Sequence, residues 1–107
     1  MKMLGRVFII LALVALVLVP ATSCVELQGQ RYSVGNGPEG ICFDDQNIWV
    51  TNYFDDEVTK LRASDGSLVG TYSMHMWSWG ICFDGQNIWV TNFDDDEVTK
   101  LRASDNN

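Results

Sequence analysis

The sequence predicts an all-β protein of two consecutive units, each with four short antiparallel strands, preceded by an N-terminal signal helix. Three observations lead to this prediction. The N-terminus is basic and then apolar, one long stretch of the chain is repeated almost unchanged, and runs of β-branched and aromatic residues alternate with Asp, Asn and Gly turns. No segment after the N-terminus has the apolar period of a helix. The length of 107 residues allows one small domain at most.

The N-terminus is typical of a secretory signal peptide. Lys2 and Arg6 form a short basic region, and 13 consecutive apolar residues follow at positions 7–19. This run is shorter than the ~20 residues that a membrane-spanning helix needs. The small residues after it suit cleavage behind Ser23, which would leave residues 24–107 as the exported chain.

Cys24 would then be the first residue of the exported chain. This arrangement resembles the lipobox of bacterial lipoproteins, which implies acylation of Cys24. Simple secretion, a lipid anchor and an uncleaved signal anchor remain three alternatives. We therefore expect a secreted or cell-envelope protein that contacts the membrane only through its N-terminal signal or lipid.

The charge of the chain excludes nucleic acid as a partner. The formal net charge is −7, and removal of residues 1–23 takes Lys2 and Arg6 away, leaving five basic residues against 14 acidic ones. Binding to phosphate groups requires clustered Lys and Arg, which are absent here. The acidic balance favours solubility and repels anionic surfaces.

The exported chain contains two copies of one sequence unit. Residues 40–65 and 80–105 differ at only three of 26 positions, namely Asp45/Gly85, Tyr53/Phe93 and Phe54/Asp94. Such near-identity indicates a recent duplication. In the first copy the strands are predicted at residues 40–43, 48–51, 57–63 and 67–74. A further strand, similar to the one at residues 67–74, is predicted at residues 25–34.

Four strands in about 40 residues make up one blade of a β-propeller. The sequence Trp-Val-Thr-Asn at positions 49–52 and 89–92 resembles the YVTN-type β-propeller repeat. The stretch at positions 37–44 resembles the first strand of a blade in YVTN proteins, streptogramin B lyase and gluconolactonase-like propellers. The resemblance covers nearly all of the exported chain and implies two blades, at about residues 32–71 and 72–107. It also implies that the strand at residues 40–43 lies innermost in its blade.

Two blades make an incomplete propeller, because closed rings use about four or more. Three interpretations remain open: a piece of a longer propeller, several copies assembled into one ring, or a small open pair of sheets. The expected partners are therefore further propeller blades or copies of the same chain.

The segment at residues 74–79 is where the two units diverge most. It reads Met-His-Met-Trp-Ser-Trp, whereas the first unit has a Gly- and Pro-containing loop in the same place. The resemblance implies that this connection lies near a mouth of the propeller channel. We therefore take Trp77, Trp79 and His75 as candidate ligand-binding residues, for a small ligand or a glycan that stacks on the indole rings. Drift in a redundant copy is the alternative.

Two acidic turns are the only candidates for a metal site. Asp55, Asp56, Asp95 and Asp96 are candidate ligands for Ca²⁺ or Mg²⁺, because closely spaced carboxylates suit these ions. Solvated turns are the simpler interpretation, since Asp is a common turn residue. No other cofactor is expected.

Two pairs of repeated residues are expected to pack in the interior. Cys42 and Cys82 occupy equivalent positions as small apolar residues, with a disulfide between them as the alternative. Trp49 and Trp89 are expected to be packing residues of the second strand.

The sequence favours a non-enzymatic, exported binding or interaction module. His75 is the only histidine, so a Ser-His-Asp triad or a His-rich metal site in one chain would depend on it alone. No catalytic residue is carried over from the resembling enzymes. A remnant of a propeller enzyme of lyase or lactonase type and a structural surface repeat protein remain the alternatives.

Overall fold

The computed structural model describes residues 28–105, and all regular secondary structure in that range is β-strand. Seven strands follow one another: β1 (Pro38–Phe43), β2 (Asn47–Asn52), β3 (Glu57–Arg62), β4 (Leu68–Ser73), β5 (Ser78–Phe83), β6 (Asn87–Asn92) and β7 (Glu97–Arg102). Within residues 28–105 there is no helix, and thus none that is long and apolar enough to cross a membrane. The all-β prediction is confirmed. The predicted signal peptide and Cys24 lie outside the described residues.

The seven strands form two antiparallel sheets. The first sheet has the order β1-β2-β3-β4 and the second has the order β5-β6-β7, so that each strand pairs with its neighbour in sequence. Both sheets belong to the compact part of the chain that begins at Tyr32. The four strands of the first sheet lie within two residues of their predicted positions. The second sheet has three strands in the part of the chain that the structure describes.

The strand predicted at residues 25–34 is not formed over residues 28–34, which have no regular secondary structure. A strand requires a hydrogen-bonded neighbour. Among the described residues no strand pairs with this segment. Residues 25–27 of that prediction lie outside the described range.

An aspartate fixes the hairpin turn at the start of each unit. In the first turn, Asp44 Oδ1 accepts hydrogen bonds from the backbone N–H groups of Gln46 and Asn47, at 3.0 and 2.6 Å. Its Oδ2 accepts a hydrogen bond from Trp49 Nε1 at 2.7 Å, which ties the turn to the middle of β2. The turn also needs a left-handed residue, with a φ of 77° at Asp45 and 100° at Gly85. Glycine adopts such angles without strain, so Gly85 suits this position better than Asp45 does.

We expect the stability of the protein to fall as the pH is lowered through the aspartate range. Burial raises the pKa of Asp44, but the hydrogen bonds from Trp49, Gln46 and Asn47 outweigh burial and hold it below its ordinary value. The equivalent hydrogen bonds, led by the one from Trp89, lower the pKa of Asp84 to about 2. Because both pKa values are lower in the folded state, the stabilisation is complete above the unfolded pKa, near 4, and is lost as the pH falls toward 2.

Urea denaturation midpoints measured between neutral pH and acid test this expectation. The Asp84→Asn variant keeps the shape of the side chain and removes its titration, so its curve should be flatter between about pH 4 and pH 2. A variant curve that runs parallel to that of the unchanged protein would contradict the role of the turn carboxylates.

The two sheets pack face to face around a small apolar core. Trp49 and Val58 of the first sheet and Ile88 and Val90 of the second are fully buried and in contact. Strand β1 lies beside β5, so the first strands of the two sheets are neighbours. Partly buried residues complete the core: Cys42, Tyr72, Met74, Ile81, Phe83, Leu101 and Ala103.

Lys60 is a charged residue within this sheet interface, with 1% of its surface exposed. Its ammonium group donates hydrogen bonds to the carbonyl oxygens of Ala103 and Asp105, at 2.9 and 2.8 Å. It also lies 4.7 Å from the centre of the Trp49 ring, a cation–π distance. Burial lowers the pKa of Lys60, and the charges of Asp44 and Asp105 oppose that shift.

The two cysteines of the repeat have different environments. Both are free thiols, so the alternative of a disulfide between them is wrong. Cys42 packs against the core, as expected, but Cys82 is exposed because its face of the second sheet is not covered by another sheet in the described chain. Burial, assisted by Cys82 and Asp44, raises the pKa of the Cys42 thiol to about 11, which makes it a poor nucleophile.

Candidate ligand-binding site

The connection from β4 to β5 places two tryptophans at one edge of the sheets. Trp77 has a φ of 57°, and Gly37, its equivalent in the first unit, has a φ of 67°. The two connections therefore share a left-handed position, which favours glycine and strains a bulky residue. Trp77 is held there because its N–H donates to Asp56 Oδ1 at 2.9 Å and its carbonyl accepts from the N–H of Phe93 at 3.0 Å.

Four aromatic rings meet at this edge, and we call Tyr53, Trp77, Trp79 and Phe93 the aromatic cluster. Tyr53 stacks on Trp77 with 5.6 Å between the ring centres and 18° between the planes. Tyr53 also meets Trp79 edge to face at 5.7 Å. Phe93 lies 6.3 Å from Trp77 and 5.9 Å from Trp79. These distances are those of mutually attractive aromatic pairs, so the rings support one another.

Much of the aromatic cluster is open to solvent. Trp79 is 49% exposed and Phe93 is 63% exposed, whereas Tyr53 and Trp77 are half-buried. Phe54, which is 74% exposed, extends the apolar surface through an edge contact with Tyr53 at 5.0 Å. Exposed apolar surface of this kind marks binding sites more often than isolated exposed residues do.

A polar pair lies on the turns that carry the cluster. His75 Nδ1 lies 3.9 Å from Asp95 Oδ2, and both side chains are partly exposed. His75 is two residues before Trp77, and Asp95 is two residues after Phe93. The pair therefore offers hydrogen-bonding groups close in sequence to two members of the cluster.

The sequence predicts part of this site. The structure brings Trp77 and Trp79 into one cluster and places His75 beside Asp95. Sequence reasoning missed Tyr53 and Phe93, which supply the other two rings. The sequence contained a signal for this pair. Tyr53 and Phe93 occupy the same position in the two copies, and the position stays aromatic although the residue differs.

Three of the four candidate metal ligands are engaged in other interactions. Asp55 accepts hydrogen bonds from the backbone N–H and the Nδ2 group of Asn36, at 2.8 and 2.9 Å, and these hold the pKa of Asp55 below its usual range. Asp56 accepts from Trp77, and Asp95 faces His75. In residues 28–105 no three Asp, Glu, His or Cys side chains come close enough to hold a metal ion.

The fold and the cluster together define a class: an all-β protein of two stacked antiparallel sheets with an exposed aromatic surface at one edge. No protein-family model matches the sequence, and the comparison with curated proteins gave no match. Among solved structures, a chain of hydrazine synthase from Kuenenia stuttgartiensis is similar to this protein, with a TM-score of 0.60 and 20% sequence identity. The match covers 74% of this chain and 24% of that one, so this chain spans about a quarter of that protein's length. At this identity the likeness concerns the fold alone.

Proposed function

We propose that the protein is an exported, non-enzymatic binding module made of two blades of the YVTN β-propeller type. Its ligand site is the aromatic cluster. The ligand is a small molecule or glycan that presents a flat apolar face.

The blade assignment is supported by sequence and by topology. The Trp-Val-Thr-Asn motif occurs at positions 49–52 and again at positions 89–92, and each copy forms an antiparallel sheet in chain order. The sheets stack face to face with β1 beside β5, which suits an arrangement with the first strand of each blade innermost. Export is supported by the basic and apolar sequence before Cys24.

The observation that carries the binding proposal is the exposed aromatic cluster. Trp79 leaves 49% and Phe93 leaves 63% of its surface in water, although both belong to a packed group of rings. Leaving such surface in water forfeits the free energy that burial would provide. A ligand that covers these rings recovers that free energy, and the rings are already held in position by Tyr53 and Trp77.

The chemistry around the cluster indicates the kind of ligand. The faces of sugar rings and other flat apolar groups stack on indole rings, and hydroxyl groups need donors and acceptors at the edge of the stack. His75 and Asp95 provide such groups.

Replacing Trp79 with alanine is expected to weaken binding about tenfold while leaving the fold intact. One aromatic stacking contact contributes about 0.5–1.5 kcal/mol, and the area that Trp79 covers adds to it. The measurement is binding of the full chain to an array of immobilised neutral oligosaccharides, followed by titration of the best binder against tryptophan fluorescence.

Trp89→Ala is the matched control, because it removes the same side chain from a face of the second sheet outside the cluster. It should leave the affinity unchanged within about twofold. The proposal fails if the unchanged protein binds no glycan on the array, or if Trp79→Ala and Trp89→Ala bind equally well while both remain folded.

A further inference from the structure

The two sheets of the chain use opposite faces when they pack together. We call the face that carries Trp49 or its copy the front face, and the opposite one the back face. The first sheet contributes its front face, with Trp49 and Val58, and the second contributes its back face, with Ile88 and Val90. One front face and one back face therefore remain without a sheet against them in the described part of the chain.

The uncovered front face belongs to the second sheet and repeats the residues of a buried one. Val58 is fully buried in the first sheet, whereas its copy Val98 is 60% exposed. Lys60 is 1% exposed, whereas its copy Lys100 is exposed. The sequences of β3 and β7 are identical, so the difference arises from what surrounds each strand: the second sheet and β4 cover β3, and neither has a counterpart at β7 in the described residues.

The uncovered back face belongs to the first sheet and forms a groove of about 550 Å³. Val50 and Leu61 line it, each with 7% of its surface exposed, and are the copies of Val90 and Leu101, which face the first sheet inside the chain. Ile41, also in its lining, is 68% exposed. A volume of this size accommodates large apolar side chains.

We propose that the front face of the second sheet in one copy of the chain docks into this groove in a second copy. The contact is head to tail and repeats between chains the packing that joins the two sheets within a chain. This inference goes beyond the proposed function and rests on different residues.

The aromatic contacts of the internal interface have their counterparts at the groove. Within the chain, Tyr72 stacks on Trp49 at 5.4 Å, and its hydroxyl donates to the carbonyl oxygen of Asp105. Tyr32 is the copy of Tyr72 and lies against Gly66, next to the copy of Asp105. Tyr32 lines the groove with half of its surface exposed, so it is placed to stack on the Trp89 ring of the second copy.

The polar contacts of the internal interface also have counterparts. Lys60 donates to the carbonyl oxygens of Ala103 and Asp105, and their copies Ala63 and Asp65 line the groove. Lys100, the copy of Lys60, would reach these carbonyls in the second copy. The lining carries both signs of charge, because Arg62 lies 4.0 Å from Asp65 and Glu39 also lines the groove.

A threonine on the front face also makes a contact at the internal interface that has a counterpart at the groove. Thr51 donates to the carbonyl oxygen of Trp79 across the internal interface at 2.8 Å. Its copy Thr91 donates instead to the carbonyl of Gly80 in its own sheet, at 3.5 Å. The carbonyl equivalent to that of Trp79 belongs to Glu39, which lines the groove. Docking would therefore replace a long hydrogen bond by a short one.

A contact between two different faces continues from copy to copy until a ring closes. Two variants test this property. Ile41→Asp places a charge in the groove, and Val98→Asp places one on the front face; both residues are well exposed, so each variant should fold. Native mass spectrometry of the full chain purified in detergent should show three or more copies for the unchanged protein and single copies for each variant alone.

The decisive sample is an equal mixture of the two variants. The intact front face of Ile41→Asp fits the intact groove of Val98→Asp, so the mixture should form a dimer with one chain of each kind and nothing larger. If two front faces met instead, Ile41→Asp alone would assemble like the unchanged protein. A monomeric unchanged protein, or a mixture that stays monomeric while both variants keep their thermal unfolding transition, would overturn the proposal.

Lys100→Met provides a second measurement that does not place a charge on either face. It should weaken assembly about tenfold without lowering the melting temperature of the single chain, because Lys100 is exposed there. Unchanged assembly in this variant would show that Lys100 makes no polar contact in the docked pair.

Discussion

Replacing Trp49 with alanine is expected to lower the free energy of unfolding by about 3–5 kcal/mol. The Trp49 side chain is fully buried between the sheets, stacks on Tyr72, and donates a hydrogen bond to Asp44 at 2.7 Å. Alanine leaves a cavity at the centre of the core and removes the donor that links β2 to its turn. Native domains are stable by about 5–15 kcal/mol in total, so this loss is a large fraction of the stability of the protein. Urea denaturation followed by circular dichroism measures the loss.

Trp89→Ala is the matched control for this prediction. Trp89 makes the same hydrogen bond to Asp84 at 2.7 Å but is only half-buried, because no sheet covers it in the described chain. Its replacement should lower the free energy of unfolding by less than half as much, about 1–2 kcal/mol. Both variants are measured in the Val98→Asp background, which prevents docking from covering Trp89. Equal losses at the two positions would show that sheet stacking is not what makes Trp49 important.

Replacing Lys60 with methionine is expected to lower the free energy of unfolding by about 1–2 kcal/mol. Methionine keeps most of the apolar stem, so the change isolates the ammonium group. The carbonyl oxygens of Ala103 and Asp105 lose their shared donor inside the interface. Methionine also relieves the burial of a charge, which is the cause of the lowered pKa of Lys60, and this offsets part of the loss. Thermal and urea unfolding both measure the effect.

Lys100→Met tests whether the effect of Lys60→Met comes from the sheet interface. Lys100 lies over the Trp89 ring at 5.2 Å, much as Lys60 lies over Trp49, but it is exposed. In the same Val98→Asp background its replacement should change the free energy of unfolding by no more than about 0.5 kcal/mol. A loss as large as that of Lys60→Met would mean that the cation–π contact, common to both lysines, is the main contribution.

The strands of the first sheet could be predicted from the sequence because their signals are local. The β-branched and aromatic residues of β2 and the Asp-rich turns on either side act within a few residues of one another. Asp44 illustrates this, since it bonds to residues two, three and five positions away. Local interactions of this kind can be predicted from one sequence alone.

The burial of those strands could not be predicted, because it depends on distant parts of the chain. The alternation in β3 predicts a strand exposed on parts of both faces, yet Val58, Thr59, Lys60 and Leu61 are all buried. In β7 the same sequence is mostly exposed. No local pattern distinguishes these two environments, since the second sheet covers the front face of β3 and β4 flanks it, whereas β7 has neither in the described residues.

The candidate site shows the same division. The divergence of residues 74–79 points to Trp77 and Trp79 directly, because it is visible when the two copies are aligned. Tyr53 and Phe93 lie far apart in the sequence and join the tryptophans only because equivalent turns of stacked sheets meet at one edge. That meeting is a property of the tertiary structure and has no local signal.

Strands β2 and β6 have the same sequence, and so do β3 and β7. During folding a strand can therefore pair with the wrong copy of its partner. If β2 paired with β7, the pair would form the same hydrogen bonds as the native β2–β3 and β6–β7 hairpins. Such a pair could form within one chain or between two chains. Strand pairing alone therefore does not select the native connectivity. The four-residue turns between β2 and β3 and between β6 and β7 do, because a β2–β7 pair within one chain would have to close a much longer loop. The shortness of these turns thus distinguishes the correctly folded chain from its own mispaired forms.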